Sequence, residues 1–425
     1  MLRFWFVVYN VKLLPLLWLF FKIYSFFNSK FKEGFAGRKD IFSRITSHTF
    51  IPGRKSILIH SSSLGEYQQA LPIVEELKKG NFNIILSFFS PSGYKNSKNT
   101  DDSILKIYLP FDSVWKVRKF FDLLNLDTII LMRYDLWFNF LYEAKKRRTR
   151  TVIANARYDE NDRTWRIPLV KSFKKALFGM IDKLFVIDDE DYLNYKKELK
   201  GFKSDIIKVG DSKYERVYEA AKGFNKEEII GSNIINGKKV FVIGSSWKED
   251  EEIILPVLNK IIEIDSLLLT FLVPHEPKET KLAIIEKNIA SKYENLKVIR
   301  FSNLSNYKDE NIIIVDSIGK LTKLYSIACL SYVGGGFRSG LHNILEPVIF
   351  NVPVFFSNAV KNSDEDEFLI SKGCGILVEN RNGFYRDFRR LLSDDELCKQ
   401  LSDKCKTVFE EKLGTAKKIV KNLNL

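Results

Sequence analysis

One stretch constrains the fold more than any other: residues 334–353, GGGFRSGLHNILEPVIFNVP. It follows a short apolar run, residues 329–333, that reads as a buried strand. Three glycines then remove every side chain and stop the strand. A helix start is expected at about Leu341, and Pro353 opens another apolar strand, residues 354–356. Strand, glycine turn and helix together let backbone N–H groups hold a phosphate. Asn343 and Glu346 are three apart, so on a helix they share a face. A carboxylate there can accept both hydroxyls of a ribose while the turn holds the phosphate. The same letters also suit a tight strand–helix junction with a capping Asn and a solvated Glu.

A chain of 425 residues, 45% apolar and 13% aromatic, is long enough for two domains with buried cores. Its formal charge of +14 favours an anionic partner: nucleic acid, acidic lipid or a phosphorylated substrate. No nucleic-acid-binding motif accompanies that charge, so no nucleic-acid partner is expected. The four cysteines lack CxxC spacing and the four histidines form no HxxxH or HExxH pair, so neither a disulfide framework nor a metal centre is expected. The acidic run Asp188-Asp189-Glu190-Asp191 reads as the cap of a following helix.

Residues 4–27 are the most apolar segment, interrupted by Lys12, Pro15 and Lys22 and followed by Lys30, Lys32, Arg38, Lys39 and Arg44. Residues 1–28 are expected to be a membrane anchor, spanning once or lying in the interface, with the basic flank on the cytoplasmic side. Strands are expected at 55–60, 83–89, 127–132, 151–156 and 183–187, then in a second set at 240–244, 266–274, 311–315, 329–333, 354–356 and 375–378. Helical segments separate them. Two successive sets predict two doubly wound α/β domains of the Rossmann-like kind facing a cleft, at 29–215 and 216–425. Glu66 falls where the first strand ends and a helix begins, the place where open parallel sheets bind ligands. A glutamate there also suits the helix dipole.

Several motifs recur in order. HSSSLGE (60–66), SPSG (90–93), YLPFD (108–112), RYDLWFN (133–139), VIANAR (152–157), GDSKYE (210–215), PHEP (274–277), DSIGK (316–320) and the 334–353 stretch together resemble the bacterial 3-deoxy-D-manno-octulosonic acid (Kdo) transferases of lipid A synthesis. The resemblance covers residues 40–380 and implies a GT-B glycosyltransferase. It implies that Glu66 is the general base and that Lys213 faces the departing phosphate. Arg133 stands where the family has a glutamate assigned to transition-state stabilisation. The implied nucleotide contacts are His275 and Glu276, where the family commonly has Arg-His; Ile318, Gly319 and Lys320, the last in place of a Glu; and Asn343, Ile344, Leu345 and Glu346.

On this resemblance the chain is expected to move Kdo from CMP-Kdo to the lipid A precursor at the cytoplasmic face of the inner membrane, with inversion and without a metal or other cofactor. Its expected partners are CMP-Kdo, the lipid A precursor and the anionic membrane surface. Two other readings suit the same residues: a lipid glycosyltransferase using another sugar nucleotide, and a catalytically silent nucleotide-binding membrane protein.

Overall fold

A computed structural model describes residues 1–97, 101–222, 230–338, 340–360 and 365–425. The chain divides into two compact units, Met1–Arg216 with Lys412–Leu425, and Val217–Glu411. Each is built on one parallel sheet of seven strands.

In the first unit the strands are β1 (Lys55–Ser61), β2 (Phe82–Phe88), β3 (Leu105–Tyr108), β4 (Thr128–Met132), β5 (Arg150–Ala156), β6 (Lys183–Val186) and β7 (Asp205–Lys208). Their order across the sheet is β3-β2-β1-β4-β5-β6-β7, so the winding reverses between β1 and β4. The central strands carry continuous runs of Ile, Leu and Val, as strands covered on both faces require. Ile57, Ile59, Ile130 and Val152 face one apolar layer, while Leu58, Ile129, Leu131 and Ile153 face the other.

The second unit contains β8 (Lys239–Ser246), β9 (Leu268–Pro274), β10 (Val298–Arg300), β11 (Ile312–Ile314), β12 (Leu330–Val333), β13 (Val354–Phe356) and β14 (Gly375–Leu377). Here the order is β10-β11-β9-β8-β12-β13-β14, and the reversal lies between β8 and β12. The Trp247 turn follows β8 and the triple glycine follows β12, so both sit at that unit's switch point.

Two expected boundaries need correction. The C-terminal segment does not end in the second unit. Its last helix, Thr415–Asn422, returns to the first, where Ala416 and Ile419 enter the apolar layer beneath β1. Charge fixes this docking at both ends. Glu215 accepts the Gly414 and Ala416 N–H groups at 2.8 Å, and Lys183 donates to the Asn422 carbonyl at 2.7 Å. Arg150 donates to the carbonyls of Leu423 and Asn424. An anion at the helix start and cations at its end complement the dipole.

Nor are residues 1–28 a separate anchor. Leu2–Phe27 is helical throughout and, by length and composition, apolar enough to cross a membrane. Its first half nevertheless packs into the first unit. Trp5 is buried and donates to the Ser172 hydroxyl at 3.1 Å, and Tyr9 stacks on Phe138. Asn10 and Asn139 exchange amide hydrogen bonds at 2.8 and 2.9 Å. A π-helical stretch, Tyr9–Leu13, accompanies this docking. The second half, Leu14–Phe27, buries no residue, and Phe26 and Phe27 are 79% and 85% exposed.

Candidate active site

In the first unit, Ser63 is the N-cap of the helix Leu64–Lys78 and Glu66 is its third residue. The Ser63 hydroxyl accepts the Glu66 N–H at 3.3 Å, and the Glu66 carboxylate reaches back to the Ser62 N–H at 2.6 Å. This is close to a capping box, and it puts Glu66 in the first helical turn, where the dipole favours it. It occupies Oε2; Oε1 carries no hydrogen bond among the described residues. Glu66 is half-buried at the C-terminal edge of β1, beside the β1/β4 reversal.

Arg133, at the end of β4, has a left-handed backbone, φ 61°. Such strain in a non-glycine residue persists where its surroundings hold it, and is concentrated at functional sites. Its Nε donates to Gln69 Oε1 at 3.2 Å, one turn along the helix from Glu66. The Ser212 hydroxyl donates to the Gln69 carbonyl at 2.6 Å, and Asn155 Nδ2 donates to Ser212 Oγ at 2.8 Å. Asp211 accepts the Lys213 N–H at 2.8 Å. One network thus ties together the helix bearing Glu66, the end of β4 bearing Arg133 and the turn bearing Lys213.

Sequence reasoning missed what supports this edge. His60 is fully buried at the end of β1, bonded through Nδ1 to Ser87 Oγ at 2.9 Å and through Nε2 to Asp135 Oδ2 at 2.7 Å. Those bonds link β1, β2 and the turn after β4. His60 was legible only as the first letter of a motif; its carboxylate partner lies seventy-five positions away.

In the second unit the expected nucleotide residues fall into two groups. Glu346 accepts the Asn343 amide and the Thr322 hydroxyl, each at 3.2 Å, which draws the turn carrying Ile318, Gly319 and Lys320 toward residues 343–346. Ile318 stands 89% exposed on that turn and Gly319 adopts φ 86°. His275 lies flat on His342, with ring centroids 4.5 Å apart, and on Trp247 at 4.7 Å. Trp247 Nε1 donates to His342 Nε2 at 3.1 Å. Burial and the neighbouring His275 push the His342 imidazole below its usual range, which suits a ring nitrogen that accepts a hydrogen bond.

The other group stands apart. Ile344 and Leu345 are fully buried, so their side chains belong to the core and only their backbone can meet a ligand. The Leu345 N–H already points at Asn343 Oδ1, 3.3 Å away. Glu276 is held by Lys278 and Lys281 at 3.1 Å. The expected helix at Leu341 is also displaced: it runs only from Leu345 to Val348. Before it the chain closes on itself, with the Gly335 carbonyl accepting the N–H groups of Arg338 and Gly340. Gly335 and Gly340 have φ 97° and 95°, and a Cβ on Gly336 would stand 1.5 Å from the Ser357 carbonyl oxygen. The glycines thus serve the close approach of the β12 and β13 turns as well as any ligand.

Two further cations flank this cluster. The Arg338 guanidinium and the Lys281 ammonium sit 5.3 and 5.4 Å from the Trp247 ring. Beneath it lies Asp250, fully buried, accepting the Trp247 and Gly335 N–H groups at 2.9 and 3.0 Å and the Tyr332 hydroxyl at 2.7 Å. Burial raises its carboxyl above the usual range. Asp250 therefore pins the glycine turn to the tryptophan turn. The sequence signal for it was an acidic residue in the first turn of the helix Lys248–Ile264, which looks like any other helix start.

Two doubly wound units, each carrying polar residues at its switch point, define a protein of the GT-B glycosyltransferase fold. A glycosyltransferase from Rickettsia africae shares the fold at a TM-score of 0.58, with 13% identity, covering 88% of this chain and 97% of its own. The profile of the 3-deoxy-D-manno-octulosonic-acid transferase (kdotransferase) family matches residues 35–216. The 3-deoxy-D-manno-octulosonic acid transferase of Haemophilus influenzae is 24% identical, over 96% of this chain and 94% of that protein. A bifunctional glycosyltransferase/methyltransferase of Fusobacterium nucleatum is 29% identical over 95% of this chain, which spans 60% of that protein's length. The chain is thus similar to the Kdo transferases, in the profile over residues 35–216 and along nearly the whole length of the Haemophilus influenzae protein.

Proposed function

We propose that this chain is a Kdo transferase that takes Kdo from CMP-Kdo and attaches it, with inversion, to a hydroxyl of the lipid A precursor in lipopolysaccharide core synthesis. Glu66 removes the hydroxyl proton through its uncommitted oxygen. The hydroxyl oxygen attacks the anomeric carbon as the bond from that carbon to the phosphate oxygen breaks, and CMP leaves. Lys213 meets the charge that grows on the leaving phosphate. Arg133 meets the carboxylate of the sugar acid, a role that a cation suits and the family's glutamate does not. Glu346 and Asn343 take the ribose hydroxyls, and the His275–Trp247 wall with Lys281 and Arg338 faces base and phosphate. A donor with one phosphate needs no metal in this reading.

The observation that carries the proposal is the network through Gln69, which joins the elements bearing Glu66, Arg133 and Lys213 along one sheet edge. Incubation with CMP-Kdo and lipid A precursor, read by mass spectrometry, tests it. A product heavier by one or more Kdo residues is expected. Transfer from a different sugar nucleotide, with none from CMP-Kdo, would replace this reading with another lipid glycosyltransferase.

The same proposal puts the protein on the cytoplasmic face of the inner membrane, lying in the interface rather than spanning it. With residues 2–13 docked, at most the fourteen residues of Leu14–Phe27 remain to enter a membrane, about 21 Å of helix. A hydrocarbon core of about 30 Å is too thick for that. An exposed apolar face followed by lysines and arginines suits an anionic surface.

A further inference from the structure

Beside the exposed helix the first unit holds an apolar chamber of about 150 Å³, walled by Phe21, Phe31, Phe35, Phe89, Pro91 and Phe111. A dry apolar cavity of about this size takes a benzene-sized molecule. Phe21 turns in from the largely exposed Leu14–Phe27 segment to meet Phe31 and Phe89, at centroid distances of 5.8 and 6.2 Å. The chamber is thereby continuous with the apolar face.

Its charge is unusual. Arg38 lines it, with Nε, Nη1 and Nη2 donating to the carbonyls of Leu109, Gly34 and Phe89, each at 2.8 Å. The guanidinium lies 4.6, 4.7 and 5.2 Å from the rings of Phe89, Phe111 and Tyr108. No carboxylate among the described residues forms an ion pair with it. Burial pushes it down to about 10, so it remains charged at neutral pH. Lys30 is exposed on the same lining. A partly desolvated cation set among aromatic rings favours an anionic amphiphile over a neutral one.

The chamber also adjoins the proposed base. Ser90, on its wall, donates its N–H to the Ser62 carbonyl at 3.0 Å, and the Ser62 N–H is the one that holds the Glu66 carboxylate. We propose that the chamber seats the end of one acyl chain of the acceptor lipid, with Arg38 and Lys30 drawing in its phosphorylated form. This rests on the lipid acceptor assigned above. The seat would hold the acceptor's sugar at the edge that carries Glu66, so the acyl chain would lower the acceptor KM.

Two measurements test it, and they fail separately. In the first, the full chain is photolabelled with dodecyl phosphate bearing a terminal diazirine, and labelled peptides are mapped by mass spectrometry. Label on peptides containing Phe31, Phe35, Phe89 or Phe111, displaced by unlabelled dodecyl phosphate and reduced at least fivefold by Ser92→Leu, is expected. Label confined to Leu14–Phe27, or insensitive to competition, would overturn the seat. In the second, KM is compared for the acylated and the deacylated acceptor. Ser92→Leu, which fills the chamber, and Phe35→Ala, which enlarges it, should raise the acylated KM at least tenfold more than the deacylated KM. Equal effects on both, or equal wild-type KM values, would overturn the acceptor assignment and leave a bystander lipid or an apolar protein segment in the chamber. Chamber labelling without any sugar transfer would instead remove the proposed function and leave the seat standing.

Discussion

Asp250 joins fold and site, and its replacement separates hydrogen bonding from charge. Asp250→Ala leaves three donors without a partner: the N–H groups of Trp247 and Gly335 and the Tyr332 hydroxyl. Gly335 and Tyr332 are buried, whereas Trp247 is half-buried and can recruit water. Each buried orphan costs about 1–3 kcal/mol, so the two buried ones predict a loss of about 2–6 kcal/mol. Asp250→Asn is different. Its amide oxygen can take both backbone N–H groups, since both now share Oδ2, while its NH2 donates to a Tyr332 hydroxyl turned to accept. The hydroxyl's own proton is then the one buried donor left unpaired, so that change should cost about 1–3 kcal/mol, less than the Ala variant. Because burial raises the Asp250 carboxyl, the native state holds a proton that the unfolded chain releases, and wild-type stability falls as pH rises through the window between the two values. The Asn variant should therefore gain on wild type with rising pH. Urea unfolding at several pH values, with CMP affinity by calorimetry, measures all three. A loss below about 1 kcal/mol for the Ala variant, or equal losses for the two, would refute the reasoning.

Other expectations follow from the same contacts. Glu346→Ala should weaken CMP binding about tenfold to a hundredfold in calorimetry, as loss of charge-assisted hydrogen bonds implies. Asp112 is fully buried and burial raises it to about 7, against backbone N–H bonds from Asn139 and Phe140 that pull it down. The fold therefore favours its protonated form, and that contribution should be lost between pH 4 and 7, by on the order of 4 kcal/mol at most. Melts across that range should show the decline, and Asp112→Asn should flatten it. Phe20→Asp with Phe27→Asp, both exposed, should reduce binding to anionic vesicles at least tenfold while the melting temperature stays within a few degrees; unchanged binding would remove the interfacial helix.

Much of the architecture was readable because strands covered on both faces write themselves as unbroken apolar runs: ILI in β1, TIILM in β4, VFVIG in β8. The three strands left uncalled, β3, β7 and β10, stand at sheet edges, are three or four residues long, and contain Lys106, Lys208 and Arg300. Charged, short edge strands carry little apolar signal. The late helix start after the glycines was hidden because Gly335 and Gly340 curl the chain back before Asn343 can orient the first helical amide. The return of the C-terminal helix depends on Glu215, Lys183 and Arg150 meeting residues some two hundred or more positions away, which no local pattern encodes. In the site, the motif letters held Glu66 with its partners Ser62 and Ser63, and Asn343 with Glu346, but not Thr322. Trp247 lies in none of the motifs, and Asp135 read only as a letter of RYDLWFN; stacking on His275 and pairing with His60 exist only in three dimensions.

The most direct measurement is single-turnover transfer from CMP-Kdo to lipid A precursor by Glu66→Gln, with CMP affinity determined on the same preparation. The substitution retains an oxygen for the Ser62 N–H and removes the proton acceptor. The rate should fall about 10²- to 10⁴-fold, the range typical of a lost general base, while CMP affinity stays within twofold of wild type. A rate within tenfold of wild type would contradict the account: Glu66 would then be a helix cap, and the proton would leave by another route.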